Sequence, residues 1–191
     1  MGEEMQVTQP TVLMVDDEKR VADAYALRLE DVADVTVAYG GEEALDVVDE
    51  GRPPDVVLLD RHMPGLSGDE VLERLREREL RTRVIMVTAI DPDLGVLDMP
   101  FDDYLSKPVE REDLRTVVDQ QCRVLAYELL GEYFRLESKR AVLTAELLPE
   151  ETADSERLAD LEGRLVELEE RVGSLLPEAE ELLSSFSELD R

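Results

Sequence analysis

The chain has 191 residues, of which 48 are acidic and 21 are basic, so its formal charge is −27. Its single cysteine excludes a disulfide within the chain, and no apolar run approaches the ~18–20 residues of a membrane span. Residues 1–9 are polar and acidic, unlike a secretory signal. We expect a soluble cytoplasmic protein without membrane contact. Self-repulsion at this charge favours a salt-adapted protein of a halophile over an ordinary acidic bacterial protein, because molar salt screens that repulsion.

Short apolar runs alternate with amphipathic stretches along the first 110 residues. An apolar run predicts a strand buried on both faces, whereas apolar residues three and four apart predict a helix packed on one side. This alternation predicts an α/β fold: a flavodoxin-like, doubly wound, five-stranded parallel sheet with strand order 2-1-3-4-5. The predicted strands are residues 11–15, 35–38, 56–59, 84–89 and 104–107, and the predicted helices between them are residues 21–29, 41–48 and 68–80.

Carboxylates follow two of these strands at the same edge of the predicted sheet. Asp16 and Asp17 follow the first strand, and Asp60 follows the third. Right-handed crossovers bring the carboxyl ends of such strands together. Carboxylates this close repel unless a cation joins them, and oxygen ligands with room for water suit Mg²⁺. Beside Mg²⁺, Asp60 would be a nucleophile toward a phosphoryl group, giving an aspartyl phosphate.

Two further side chains belong to this predicted edge. Thr88 ends the fourth strand and Lys107 ends the fifth, and both can donate hydrogen bonds to phosphoryl oxygens on Asp60. The small side chain of Ala89 leaves an approach path for a phosphodonor or a water molecule. His62 is the only histidine, and we expect its imidazole on an exposed loop rather than in a catalytic role.

These motifs stand in the order found in response-regulator receiver domains, which residues 11–120 resemble. The shared features are the Asp-Asp pair, an Asp followed by Met-Pro-Gly and Ser-Gly, a Thr-Ala pair and Tyr-x-x-Lys-Pro. The resemblance implies a CheY-like phosphoacceptor domain that uses Mg²⁺ and a sensor histidine kinase as phosphodonor. The resemblance implies that Asp60 is the phosphoacceptor and that Lys107 contacts the phosphate. Mg²⁺ would be bound by Asp17, by Asp60 and by the backbone carbonyl of His62, and by Asp16 through water. Thr88 and Tyr104 would be the switch residues, and the Lys107–Pro108 bond would be cis.

One stretch departs from the receiver pattern. Only sixteen positions separate Thr88 from Tyr104, and Pro92, Gly95 and Pro100 between them oppose a long helix. The fourth helix is therefore predicted to be one turn or absent. Because many receivers pair through the face built from that helix, we expect a different output surface here.

From Glu110 onward the pattern is helical. Apolar residues recur at steps of three and four from Leu114 to Leu136, and no linker composition intervenes near residue 120. The helix after the fifth strand is thus expected to continue directly into the C-terminal region, until Pro149 breaks it.

A second C-terminal helix is predicted from Asp154 or Ser155, and residues 178–189 could form a final short one. Pro177 ends the second helix. Its leucines and valine follow heptad steps, which predicts either a helical hairpin or an intermolecular coiled coil using the same seam. The seam consists of Leu158, Leu161, Leu165, Leu168, Val172 and Leu175.

Residues 121–187 resemble the HalX domain, which follows receivers in halophilic archaea. The matching segments are residues 127–129, residues 133–141 and the Glu-rich leucine repeat. The family is regarded as a DNA-binding output, but residues 121–191 carry 8 bases against 18 acids and show no helix-turn-helix signature. We divide the chain into a receiver domain, residues 8–121, and a helical HalX-like output domain, residues 122–191.

Three functional hypotheses follow. The first is a two-component response regulator, in which phosphorylation of Asp60 switches the helical output domain in transcriptional regulation, with DNA as a possible partner. The alternative is a phosphorylation-controlled interaction or dimerisation module without DNA binding, and a homodimer through the C-terminal helices fits both. A metal-dependent phosphatase is disfavoured, because it needs a carboxylate two residues after the nucleophile, where His62 stands. We therefore expect no turnover of small substrates.

Overall fold

The computed structural model describes residues 9–89, 94–146, 156–179 and 183. They divide into two compact units, Gln9–Cys122 and the described residues from Arg123 onward. The predicted fold class is confirmed in the first unit, which contains a five-stranded parallel sheet of order β2-β1-β3-β4-β5. Its elements are β1 (Thr11–Val15), α1 (Lys19–Leu29), β2 (Asp34–Ala38), α2 (Gly41–Glu50), β3 (Val56–Leu59), α3 (Gly68–Glu77), β4 (Arg83–Thr88) and β5 (Asp103–Ser106), followed by α4 (Arg111–Glu146).

The three central strands form the core and set the register of the functional edge. Almost every residue of β1, β3 and β4 is buried, as continuous apolar runs covered by helices on both faces require. Val15 lies beside Leu59, and Leu59 lies beside Met86. The Asp60 backbone N–H donates to the Val15 carbonyl at 2.9 Å. This register places the residues after β1 and β3 next to each other.

Most predicted boundaries differ from the structure by one to three residues, and the ends of α3, β5 and β4 are three of them. Helix α3 ends at Glu77 instead of residue 80, since Glu79 adopts a left-handed backbone conformation (φ 52°) that a right-handed helix cannot continue. Strand β5 ends at Ser106, because Pro108 has no N–H with which to extend the ladder. Strand β4 ends at Thr88, so Ala89 lies beyond it.

The connection between β4 and β5 contains a single short 3₁₀ helix, Leu94–Asp98, in its described part. The prediction that a long fourth helix is absent is confirmed for residues 94–102, while residues 90–93 lie outside the described residues.

Arg76 of α3 holds the end of this connection. Its guanidinium donates to the carbonyl oxygens of Pro100 (2.7 Å) and Thr82 (2.8 Å) and to Oδ2 of Asp102 (2.6 Å). The largely buried Asp102 carboxylate also pairs with Arg83 at 3.0 Å. The planar fork of an arginine suits three such acceptors in different directions. Side-chain hydrogen bonds therefore fix the segment before β5.

The second unit contains the far part of α4 and a further helix, α5 (Glu156–Leu175). Helix α4 is continuous over 36 residues, which confirms the predicted helix without a linker near residue 120. Pro149, Asp154 and Ser155 lie outside the described residues, as do residues 180–182 and 184–189 of the predicted final helix. Within the described residues, no helix combines the length and the apolar character needed to cross a bilayer.

Helix α5 runs antiparallel to the part of α4 in the same unit. Arg164 pairs with Glu132 at 3.3 Å, and Glu178, just after α5, pairs with Arg123 at 2.9 Å. Of the two predicted arrangements of the heptad seam, the structure shows the hairpin, because most of the seam is already buried within one chain. The buried seam residues are Leu165, Leu168, Val172 and Leu175.

We predict that Arg76→Met lowers the free energy of unfolding by about 2 kcal/mol, because three acceptors lose their donor in a partly buried site. Arg74→Met, at an exposed position of the same helix, is the matched control and should change it by less than about 0.5 kcal/mol. Urea unfolding at fixed salt measures both values. Equal effects of the two substitutions would contradict the assigned role of Arg76.

Candidate functional site

The sheet edge brings together the three carboxylates that the sequence pointed to. Asp16 and Asp17 follow β1, Asp60 follows β3, and one oxygen of each lies within 4.8 Å of the others. Asp16 is fully buried and Asp60 is 7 % exposed, whereas Asp17 is half-buried. The site is thus a recess at the carboxyl ends of the strands, where open α/β sheets bind their ligands.

Lys107 reaches this recess from the end of β5. Its Nζ lies 2.6 Å from Oδ2 of Asp16 and 3.3 Å from Oδ2 of Asp60. Its backbone N–H donates to the carbonyl oxygen of Thr88 at 2.8 Å, which fixes the start of its side chain beside β4. The Lys107–Pro108 bond is cis. The structure therefore brings Lys107 together with the acidic residues as the sequence predicted.

The charges in the recess shift two of its pKa values. Burial raises the pKa of Asp60; the nearby Lys107 ammonium opposes this shift and the Asp16 carboxylate adds to it, and the pKa ends above its usual value. Burial alone would lower the pKa of Lys107, but its contacts with Asp16 and Asp60 outweigh burial and raise it. Lys107 is therefore a permanent cation of the site at neutral pH.

The donor set fits a hard divalent cation. Three carboxylates against one ammonium leave two negative charges uncompensated, and all available ligand atoms are oxygens. Both oxygens of Asp16 already accept hydrogen bonds, Oδ1 from the Glu18 backbone N–H (2.9 Å) and Oδ2 from Lys107. No hydrogen bond to the Asp17 side chain occurs among residues 9–89, 94–146 and 156–179. Asp17 is therefore the carboxylate best placed to bind Mg²⁺ directly, and Asp60, which also accepts from Lys107 and from the Arg61 backbone, can share the ion.

Gly68 allows the segment after Asp60 to lie close to the Asp60 backbone. A Cβ atom at Gly68 would lie 2.1 Å from the Asp60 carbonyl oxygen, so only glycine fits here. Ser67 caps α3 through a reciprocal pair with Glu70, in which Ser67 Oγ accepts from the Glu70 backbone N–H and the Glu70 carboxylate accepts from the Ser67 N–H at 3.0 Å. The Ser-x-x-Glu spacing in the sequence predicts this cap. No sequence pattern predicts that Gly68 lies so close to the Asp60 backbone.

Thr88, Tyr104 and His62 occupy different surroundings. Thr88 is buried (1 % exposed) at the end of β4, next to the recess. Tyr104 is partly buried on β5, and its ring lies 5.8 Å from that of Phe101 at an angle of 51°. The side chain of His62 is exposed, as expected. Their roles as switch residues and backbone ligand stay predictions.

Sequence reasoning missed the anchor of the segment that follows Lys107. The Val109 backbone N–H donates to Oη of Tyr25 at 3.1 Å, and the Val109 carbonyl accepts from Arg28, both on α1. The Arg28 guanidinium also lies 5.0 Å from the centre of the Tyr25 ring. Arg115 of α4 donates to the Arg28 carbonyl at 2.9 Å. These contacts link α1, the residues after Lys107 and the beginning of α4.

Comparison with protein families gives two adjacent matches. The model of the response regulator receiver domain matches residues 12–119, more than half of the chain. The model of the HalX domain matches residues 123–190. Both resemblances predicted from the sequence motifs are confirmed.

Individual relatives agree with this result. A Haloferax volcanii protein described as a "Putative transcriptional regulator" is 45 % identical over 165 residues, which cover 85 % of this chain and 28 % of the relative. The Bacillus subtilis protein YkoG, an uncharacterized transcriptional regulatory protein, is 45 % identical over 107 residues, covering 54 % of this chain and 46 % of its own length. The chain thus spans less than half the length of these two relatives.

Among solved structures, the "signal receiver domain of putative Luxo repressor protein" from Vibrio parahaemolyticus superposes with a TM-score of 0.61. It is 26 % identical in sequence, and the match covers 65 % of this chain and 98 % of that domain. The likeness therefore concerns the unit that carries the recess.

We predict that Gly68→Ala destabilises the fold by about 1–3 kcal/mol and weakens Mg²⁺ binding, because the added Cβ must displace the backbone of Asp60. The matched control is Gly163→Ala on α5, where a Cβ meets no atom within 4 Å and should stabilise the helix by up to about 1 kcal/mol. Thermal unfolding and calorimetric Mg²⁺ titration measure the two effects. Unchanged Mg²⁺ affinity in Gly68→Ala would show that Asp60 does not depend on this contact.

Proposed function

Since the chain belongs to the response-regulator family, with a receiver domain followed by a HalX domain, we propose that it is a phosphorylation switch. Asp60 accepts a phosphoryl group from the phosphohistidine of a sensor kinase, with Mg²⁺ as cofactor, and the phosphorylated receiver alters the contacts of the helical domain. The observation that carries this proposal is the position of Asp60, within 4.8 Å of two further carboxylates and 3.3 Å from the Lys107 ammonium. We place the exchange in the cytoplasm.

The transfer forms one bond and breaks one. A carboxylate oxygen of Asp60 attacks the phosphorus, the new O–P bond forms as the P–N bond to the imidazole breaks, and the imidazole leaves with its electron pair. Asp17, Asp60 and the His62 carbonyl would hold Mg²⁺, with Asp16 acting through water; the ion supplies positive charge for the phosphoryl oxygens. Lys107 compensates the charge that Asp60 gains in the acyl phosphate.

The proposed conformational response follows from contacts that form only when Asp60 carries a phosphoryl group. The Thr88 hydroxyl turns toward the new oxygens, and the partly buried Tyr104 takes the space it leaves. Lys107 exchanges part of its contact with Asp16 for a phosphoryl oxygen. Val109 lies only two residues after Lys107 and is anchored to α1. A movement of Lys107 therefore also acts on the backbone that leads into α4. These two adjustments are the proposed read-out of phosphorylation.

The output is transcriptional regulation, consistent with the descriptions of the two relatives. The second candidate, a protein-interaction module without DNA contact, is favoured by the ion pairs of the helical unit. Three of its arginines pair with glutamates: Arg123 with Glu178, Arg140 with Glu137 and Arg164 with Glu132. Direct DNA binding needs cations that are available to phosphates. DNA-binding titrations in molar KCl, with and without beryllofluoride, separate the two outputs.

We also propose that the site performs no turnover of small phosphate esters. The residue two positions after Asp60 is His62, whose exposed imidazole replaces the carboxylate that phosphatases of similar topology use as acid and base. Sustained phosphate release from a small ester would contradict this part of the proposal.

We predict that Asp60→Asn abolishes phosphoryl uptake from a small acyl phosphate, because the amide cannot act as the nucleophile. Chelation of Mg²⁺ should abolish uptake by the wild-type protein as well, since two negative charges then repel the donor. Intact-mass spectrometry detects the added phosphoryl group. Asp46→Asn, an exposed position on α2, is the control and should label normally. Phosphoryl uptake by Asp60→Asn would contradict the proposal that Asp60 is the phosphoacceptor.

Lys107→Ala should still accept a phosphoryl group but lose the conformational response. The amide hydrogen exchange of residues around Val109 should therefore change on addition of beryllofluoride in the wild-type protein and not in the variant. Lys19→Ala removes an exposed lysine of α1 and should respond like the wild type. A normal response in Lys107→Ala would show that the signal leaves the site by another route.

A further inference from the structure

Helix α1 places a tyrosine hydroxyl against the backbone that follows Lys107. Tyr25 is one of the three buried residues of α1 and is 6 % exposed. Its Oη accepts the hydrogen bond of the Val109 N–H at 3.1 Å. A phenylalanine would fill the same space in the core, so the hydroxyl is what distinguishes this residue from an ordinary core side chain. The polar end of Tyr25 thus serves the segment that it binds.

Arg28, one turn further along α1, binds the other polar group of Val109. Its guanidinium donates to the Val109 carbonyl oxygen and lies 5.0 Å from the centre of the Tyr25 ring. Residues three positions apart lie on the same face of a helix, so the two side chains reach the segment together. Side chains of α1 therefore satisfy both backbone groups of Val109, which belongs to no helix or strand.

The connection between Lys107 and Val109 is short and stiff. Residues 107–110 lie between the end of β5 and the first residue of α4. Pro108 has no N–H to donate, and its ring fixes the φ angle. Two residues span at most about 7 Å between Cα atoms. A displacement of Val109 is therefore passed on to the backbone of Lys107.

Lys107 is consequently held from two sides. The Thr88 carbonyl accepts its backbone N–H at 2.8 Å, and α1 holds the residue two positions later. The Lys107 side chain is only 13 % exposed, so few rotamers are open to it, and the position of its backbone decides where the ammonium group lies. In this position Nζ is 2.6 Å from Asp16 and 3.3 Å from Asp60.

The beginning of α4 is bound to α1 by contacts of its own. Arg115 donates to the Arg28 carbonyl at 2.9 Å and pairs with Asp31, which also pairs with Arg111 at 3.1 Å. These contacts do not involve Val109. Loss of the Val109 contacts should therefore loosen the segment after Lys107 without releasing α4 from α1.

We propose that Tyr25 and Arg28 are positioning residues of the recess. By binding Val109, they keep the Lys107 ammonium in place between two of the carboxylates, and they act on the reaction only through that lysine. This role rests on the proposed function, in which Lys107 compensates the charge of phosphorylated Asp60. The position of Lys107 can nevertheless be measured without any phosphoryl group.

The central experiment measures the reactivity of the Lys107 amine toward an acylating N-hydroxysuccinimide ester. The chain contains only three lysines, Lys19, Lys107 and Lys139, so peptide mass spectrometry follows each one separately. The acylation rate of Lys107 divided by that of exposed Lys139 is the acylation ratio. In molar KCl at fixed Mg²⁺, Tyr25→Phe should raise this ratio about fivefold, the factor that corresponds to one hydrogen bond of ordinary strength.

A second variant tests the same link through the other backbone group. Arg28→Met keeps most of the aliphatic stem but leaves the Val109 carbonyl without the guanidinium, and it should raise the acylation ratio as well. Arg28→Lys retains a cation that can donate to this carbonyl and should restore most of the wild-type ratio. These variants keep the test decisive if Tyr25→Phe folds poorly.

Two matched controls change the same residue types without touching the segment. Tyr39→Phe removes a tyrosine hydroxyl that donates to Asp23 of α1 at 2.9 Å. Arg20→Met removes an exposed arginine of α1. Both should keep the wild-type acylation ratio, because neither side chain binds Val109.

Circular dichroism identifies the variants that are folded under the conditions of acylation. A folded Tyr25→Phe or Arg28→Met with an unchanged acylation ratio would overturn the proposal, since a purely structural role lowers stability without exposing Lys107 in the folded protein. Phosphoryl uptake by Asp60, measured by intact mass on the same samples, distinguishes the two failures. If the wild type takes up no phosphoryl group but the ratio rises in the variants, the positioning role stands and the proposed function fails.

Discussion

The site is built around uncompensated negative charge. Asp16, Asp17 and Asp60 meet at one end of the sheet, and Lys107 neutralises only part of their charge. Buried carboxylates remain ionised only if cations and hydrogen bonds compensate them, so the surrounding chain has to be placed accurately. The β1–β3 register aligns Asp16 with Asp60, Gly68 lets the following helix approach the Asp60 backbone, and the Thr88–Lys107 hydrogen bond directs the lysine inward. The same imbalance creates the affinity for Mg²⁺ on which the proposed phosphoryl transfer depends.

The sequence predicts those features that are encoded by local pattern. Apolar runs that end in Asp, Thr or Lys predict both the sheet and the convergence of Asp60, Thr88 and Lys107, since topology alone brings strand ends together. Pro and Gly between Thr88 and Tyr104 likewise predict the short connection, because they oppose helix formation directly. The end of α3 was missed because the left-handed conformation of Glu79 reflects how the chain must turn toward β4, and glutamate gives no local signal for it. Contacts such as Arg76–Asp102 join residues 26 positions apart and have no sequence signature.

The heptad seam of α5 shows where pattern reasoning reaches its limit. A 3-4 repeat predicts that a helix has a partner, but it does not say which helix that partner is. The structure buries most of the Leu158–Leu175 seam within the chain, where the antiparallel part of α4 is its partner. The heptad steps alone fit a hairpin and a coiled coil of two chains equally well, and only the observed contacts decide between them.

Two segments next to the site could transmit a change to the rest of the chain: the short connection before β5, and the segment after Lys107 that leads into α4. Residues 94–102 contain one 3₁₀ turn, and Arg76 holds their end through Pro100 and Asp102, so the described part of this connection offers little that can move as a unit. The other exit from the site is the segment after Lys107, where Val109 is held by α1 and helix α4 begins two residues later. Helix α4 then continues without interruption into the C-terminal unit. In the mechanism we propose, a change at Lys107 passes into α4, and the receiver needs no long fourth helix to transmit it.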